Sequence, residues 1–238
     1  MDMIKTEFLK LRKSKILLSF FLLPILSAVI GTFNYLQNLG ILKDEWYSLW
    51  TQHTLFLSYF FLPVLIGLIV SYSFKLENNN LNMVLSLPVS RLMFILGKFT
   101  VSCIFAVIAL IFTIILYIIS GYYCGFSGFS LDIIFLSVKG AMGVLTICAV
   151  QVLISIITRN FPLSIGLSFI GGISGLLMIT MELWGINPYS LVAVGLNSNG
   201  STALTTNQNL LYFVSSGFFI FTALTASNII LKKRDIKN

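Results

Sequence analysis

Apolar positions in this chain fall in long unbroken runs separated by short polar stretches. The runs cover roughly 16–36, 54–74, 98–120, 133–157, 161–181 and 210–231. Each is close to the about 20 residues that an α-helix needs to cross the hydrocarbon core of a bilayer. Lipid offers no water to satisfy backbone N–H and C=O groups, so helices, which pair them internally, are the expected element. A membrane barrel would instead show alternating segments of about ten residues. The pattern predicts an all-α polytopic membrane protein with six transmembrane helices, forming one domain over residues 1–238. Thr158, Arg159 and Asn160 alone join the fourth and fifth runs, which predicts a tight helical hairpin. Pro162 suits the first turn of its second helix, where the missing N–H costs little. The first run follows basic residues, as in a signal peptide. It exceeds the about 7–15 residues of a signal-peptide core and no clear cleavage pattern follows, so a retained span is expected.

Composition agrees with lipid as the main solvent. Hydrophobic residues make up 57% of the chain and charged residues 10%, against about 25% charged in ordinary soluble domains. The few charges also give a direction. With the N-terminus in the cytoplasm, the inside segments hold all of the 15 Lys and Arg residues except Lys43 and Lys139. That is the bias expected of cytoplasmic loops, and six spans return the C-terminal Lys232–Lys237 cluster to the same side. The net charge of +7 therefore reports orientation. No Lys/Arg stripe interleaved with aromatics points to nucleic acid. Cys103, Cys124 and Cys148 form no CxxC. The single His53 builds no metal site by itself and is expected at the membrane interface, and no metal is expected.

Two segments on the cytoplasmic side carry most of the information. In Asp2–Lys15, Ile4, Phe8 and Leu11 share one helical face, with Lys5, Arg12 and Lys13 elsewhere. This predicts an interfacial helix on the inner leaflet, either a plain anchor or a lever on the first span. Between the second and third runs, Leu81, Val84 and Leu85 fall on one face of a short helix. Pro88 ends that helix, and Ser90 can cap the next. An exposed apolar face of this kind asks for a partner, unless it packs back on the chain itself.

An interfacial helix, two spans, the acid Glu77, a short helix, "SLPVSR" and a third span follow one another here. This order resembles the type 2 ABC export permeases, and most closely the small permeases of lantibiotic immunity and antimicrobial-peptide resistance. The resemblance covers nearly the whole chain in organisation and rests on few residues: Glu77 for the family's acid, and Leu85, Pro88 and Arg91 for its L-x-x-P-x-x-R pattern. It implies a cytoplasmic coupling helix, with Glu77, Leu81, Val84, Leu85, Pro88 and Arg91 engaging a separate ABC ATPase. It further implies a second permease, identical or related, and a bacterial plasma-membrane location. The implied activity is ATP-driven export of an amphipathic antimicrobial peptide, with another hydrophobic drug or lipid-like substrate as the alternative. The chain has no phosphate-binding loop of its own, since Gly97-Lys98 is followed by Phe99 and lacks the earlier glycine. ATP and Mg would sit on the partner, leaving no catalytic residue and no cofactor in this chain.

Inside the runs, Gly171 and Gly175 form a G-x-x-x-G that lets helices approach closely, or that lines the pathway. Lys139 lies within the fourth run and either snorkels outward or joins Gln151 in a polar pathway. Trp46, Tyr47 and Trp50 read as an outer aromatic belt. The segment Glu182–Asn209 reads as an interfacial loop or as short helices dipping into the outer leaflet. A membrane-embedded enzyme would need clustered His, Asp or Glu within the spans, and an ion-coupled channel would need buried carboxylates or charged rings. Neither pattern occurs. An ATPase-independent membrane transporter or a scaffold without transport remains as an alternative, the scaffold distinguished by a partner that is not an ATPase.

Overall fold

A computed structural model describes residues 2–12, 14, 16–78, 90–129, 131–198, 200 and 204–235, and among these there is no strand. The helices are α1 (Asp2–Arg12), α2 (Ile16–Gln37), α3 (Glu45–Phe56), α4 (Leu62–Asn78), α5 (Arg91–Tyr123), α6 (Asp132–Thr158), α7 (Phe161–Thr180), α8 (Ser190–Leu196) and α9 (Thr206–Asp235). A π-helical turn, Leu57–Phe61, joins α3 to α4 without a break, and a 3-10 turn, Trp184–Ile186, precedes α8. Six helices are long and apolar enough to cross a membrane: Leu18–Gln37, Glu45–Glu77, Arg91–Tyr123, Asp132–Thr158, Phe161–Thr180 and Thr206–Lys233. Running alternately, they bring α1, the α4–α5 connection, the α6–α7 turn and the end of α9 to one end of the bundle. The α2–α3 and α5–α6 connections and α8 lie at the other.

Local chemistry fixes several boundaries. The Ser90 hydroxyl accepts the Met93 backbone N–H at 3.3 Å and opens α5. Asn160 does the same for α7 through the Leu163 N–H at 3.1 Å, with Pro162 in the first turn. Between them, Arg159 turns the chain at a left-handed φ of 49°. Two runs prove longer than their apolar cores. The second begins at Glu45 rather than Thr54, because α3 enters the bundle with its aromatic residues inward. The third begins at Arg91 rather than Lys98, because Lys98 is buried by partners that neutralise it.

The π turn has an identifiable cause. Pro63 has no N–H to give to the carbonyl four residues back, that of Tyr59. The Tyr59 carbonyl sits so near Gly172 that a Cβ there would lie 2.0 Å from its oxygen. The Ser168 hydroxyl donates to the Pro63 carbonyl at 2.6 Å. Without water, such neighbouring donors and close contacts are how a broken helical ladder is tolerated.

Trp46 and Trp50 do not form a belt. Trp50 is fully buried and Trp46 nearly so. The Trp50 indole N–H donates to the Leu196 carbonyl at 2.7 Å, and that of Trp46 to the Ser127 carbonyl at 3.3 Å. Indoles bury when both the ring and the N–H find partners, and here Tyr117 supplies edge contacts to both rings. His53 is likewise fully buried rather than interfacial. Its Nε2 lies 2.9 Å from the Thr32 hydroxyl, its carbonyl accepts from Ser27 at 2.7 Å, and Gly31 on α2 leaves the room its ring occupies.

Of the two readings of the segment after α7, the structure has short helices rather than a plain loop, and of these α8 is packed into the bundle. In α8, Leu191, Val192, Ala193 and Leu196 are buried, wedged against α6 and α7. Glycines make the space: a Cβ on Gly143 would lie 2.6 Å from the Val192 backbone nitrogen, and one on Gly175 2.9 Å from that of Ser190.

Candidate functional site

Two spans and the N-terminal helix meet at the end of the bundle where the 79–89 segment leaves and returns. Glu7 of α1, Ser73 and Glu77 of α4, and Lys98 of α5 are all buried there, with Lys10 of α1 partly covered. The Lys98 ammonium reaches Glu7 Oε2 at 3.1 Å and Glu77 Oε2 at 2.7 Å, the second as a charge contact rather than an aligned hydrogen bond. Lys98 also donates to the Ser73 carbonyl and hydroxyl, both at 2.9 Å, and that hydroxyl donates onward to Glu7 at 3.0 Å. Lys10 closes the ring, donating to Glu7 Oε1 at 2.7 Å and to Glu77 Oε1. Phe74 and Phe94 flank Lys98, their ring centres 4.9 and 4.8 Å from its nitrogen.

Two acids and two bases therefore alternate with zero net charge. A lone buried charge costs several kcal/mol, while a paired and hydrogen-bonded set can be held. Burial alone would raise the Glu7 carboxyl; the Lys98 and Lys10 ammoniums outweigh it and hold its pKa below the ordinary 4.5. Burial alone would lower Lys10; its bonds to Glu7 and Glu77 raise it above 10.5 instead.

Of the residues singled out in the sequence between the second and third runs, Glu77 enters this cluster and Arg91 begins α5. Leu81, Val84, Leu85 and Pro88 lie outside the described residues. Glu7, Lys10, Ser73 and Lys98 were not foreseen. The available signal was Lys98 itself, a cation between Gly97 and Phe99 in an apolar helix, which needs a counter-charge for the same reason as Lys139. On α1 the buried side is Glu7 and Leu11, whereas Ile4 and Phe8 are partly exposed, and Phe8 stacks on Phe105 with 5.3 Å between ring centres.

Lys139 and Gln151 do not form one pathway. They are separated by about 18 Å of rise along α6 and face different partners. Gln151 donates to the Ser164 carbonyl and hydroxyl, both at 2.9 Å, and accepts from the Tyr189 hydroxyl at 3.2 Å. Ser71 and Ser155 complete this buried seam around the Ser164 hydroxyl, at 2.7 and 2.9 Å. Gly171 faces the Tyr189 ring and Gly175 the Tyr189–Ser190 backbone, so what approaches the two glycines is the start of α8. Lys139 lies at the opposite end from the charge cluster. Its ammonium donates to Asn209 Oδ1 at 2.7 Å, beside a cavity of about 1050 Å³ whose shell includes Tyr47, Asp132, Lys139, Glu182 and Trp184. Among the described residues no group of three or more His, Cys, Asp or Glu side chains is placed to hold a metal.

The family described as ABC-2 family transporter protein matches residues 3–175, from α1 into the second half of α7. No curated protein and no solved structure matches the chain. The matched region contains the charge cluster, four of the six apolar helices whole and most of the fifth, while the sixth, from Thr206, lies beyond it. The chain thus belongs to the ABC-2 transporter family and is one of its membrane-embedded permease subunits, a transport component that is not itself catalytic.

Proposed function

We propose that this chain is the permease of an ATP-driven type 2 exporter that removes amphipathic antimicrobial peptides from a bacterial plasma membrane. In this reading both termini and the charge cluster are cytoplasmic. The segment 79–89 docks on a separate ATPase that holds ATP and Mg, and a second permease, identical or related, completes the pathway. The observation that carries the reading is the cluster of Glu7, Lys10, Glu77 and Lys98. It bolts the interfacial helix to both spans that bracket the docking segment, so a push on that segment is delivered to three helices at once. Glu77 and Lys98 stand on opposite sides of the segment and pair with each other, while Glu7 and Lys10 of α1 hold Lys98 and Glu77 respectively. Displacing one helix alone would strip partners from buried charges, which favours concerted movement.

Co-purification from native membranes tests the reading. The tagged chain, extracted in mild detergent, is expected to bring down an ATPase with a phosphate-binding loop. A Leu81→Glu, Leu85→Glu variant should lose that partner, while Lys43→Glu at the opposite end should keep it. An ATPase that is absent, or that is retained equally by all three, overturns the docking assignment.

A further inference from the structure

The cavity at the end of the bundle opposite the termini carries charges of both signs beside a lipid-facing surface. We propose that it binds the headgroup of a zwitterionic phospholipid, an ammonium-bearing phosphodiester, with Lys139 on the phosphate and Asp132 and Glu182 on the ammonium. This assignment goes beyond the transport reading and does not depend on an ATPase.

Geometry supplies the arrangement. Asp132 and Lys139 are two helical turns apart on α6, about 10 Å along its axis and on the same face. That spacing leaves room between them for a small group with a charge at each end. Lys139 is held by Asn209 at 2.7 Å and lies 5.8 Å from the Phe135 ring centre. An ammonium has three hydrogens to donate, and Asn209 takes one of them. Glu182 comes from across the cavity, where the chain leaves α7 at a left-handed φ of 60°, a conformation uncommon outside glycine that turns the chain sharply there.

The surroundings favour a lipid over a soluble ligand. Phe135 lines the cavity and is also 67% exposed on the outer surface of α6, next to exposed Ile134 and Val138. A bound amphiphile can therefore keep its chains on that surface while its headgroup enters. Trp184 and Tyr47 stand in the shell, side chains suited to the headgroup level. The volume of about 1050 Å³ is just above the roughly 300–1,000 Å³ of small-molecule sites, room enough for a headgroup and the start of its chains.

Native mass spectrometry of the purified chain tests this with phosphatidylethanolamine, phosphatidylglycerol and water-soluble phosphoethanolamine. Phosphatidylethanolamine should be retained in preference to the other two. Lys139→Gln should weaken both lipids by about tenfold, the effect of one charge-assisted contact, and Lys139→Arg should restore them. The Asp132→Asn, Glu182→Gln pair should weaken phosphatidylethanolamine and strengthen phosphatidylglycerol, a crossing that misfolding does not produce. Equal retention of both lipids with no crossing overturns the proposal. So does phosphoethanolamine binding as tightly as the lipid, or a cationic amphipathic peptide binding through Asp132 and Glu182 where phosphatidylethanolamine does not.

Discussion

Lys98 shows what one residue can hide in a sequence. Counted as the first residue of an apolar run it looks like a loop cation. Extended to its true start at Arg91, the helix places it two turns inside, where it must find acids. Those acids come from sequence positions far away in both directions, Glu7 and Glu77, and nothing local marks Glu7 as buried. Replacing Lys98 by Met leaves two buried carboxylates with Lys10 alone. The expected loss is on the order of 3–5 kcal/mol, read as a clear drop in the thermal midpoint of the detergent-solubilised chain. An unchanged midpoint would contradict the cluster. Acid should act on the same group. The Glu7 carboxyl is depressed in the folded chain, so its contribution is complete above about pH 4.5 and is lost as pH falls through the lower folded value. The stability advantage of the native chain over Glu7→Gln should therefore be flat at neutral pH and shrink in that acid range. An advantage independent of acid would exclude the charged pairing.

At the scale of elements, the helices follow from short-range rules and their partners do not. The cap at Ser90 and the tight hairpin over Thr158–Asn160 were readable because each depends on neighbouring residues, although the Asn160 cap within that hairpin was not read. Trp46 and Trp50 were misplaced because an indole next to polar residues looks interfacial until a carbonyl from elsewhere, here Ser127 or Leu196, meets its N–H. The burial of α8 was hidden for the same reason. A short helix in this segment was one of the sequence readings, but not the room that buries it, which is made by Gly140 and Gly143 on α6 and by Gly171 and Gly175 on α7. Gly143→Leu should cost about 1–3 kcal/mol through overpacking, because its side chain meets the Val192 backbone. Gly166→Ala, with nothing within 4 Å of its added Cβ, should be neutral or mildly stabilising, as glycine is a poor helix former. Equal midpoints for the two variants would remove the cradle.

The whole molecule is a bundle with unlike ends, one closed by an ionic cluster and the other by an aromatic core beside an open cavity. Its six-helix plan was legible because apolar length alone encodes it, and the Lys and Arg bias predicts an orientation that labelling can check. In a Cys124→Ser background, a membrane-impermeant maleimide on intact cells should label Lys43→Cys. It should label Arg159→Cys only after lysis, and the reverse pattern would invert the chain. The central claim is that ATP hydrolysis on a partner moves these helices to export an amphipathic peptide. Its most direct measurement is peptide movement in vesicles holding the co-purified complex. The account predicts ATP-dependent movement that is lost in Lys98→Met and largely retained in Lys98→Arg, with the ATPase still bound in both. Movement that persists without ATP, or that is indifferent to the loss of the Lys98 charge, would contradict it.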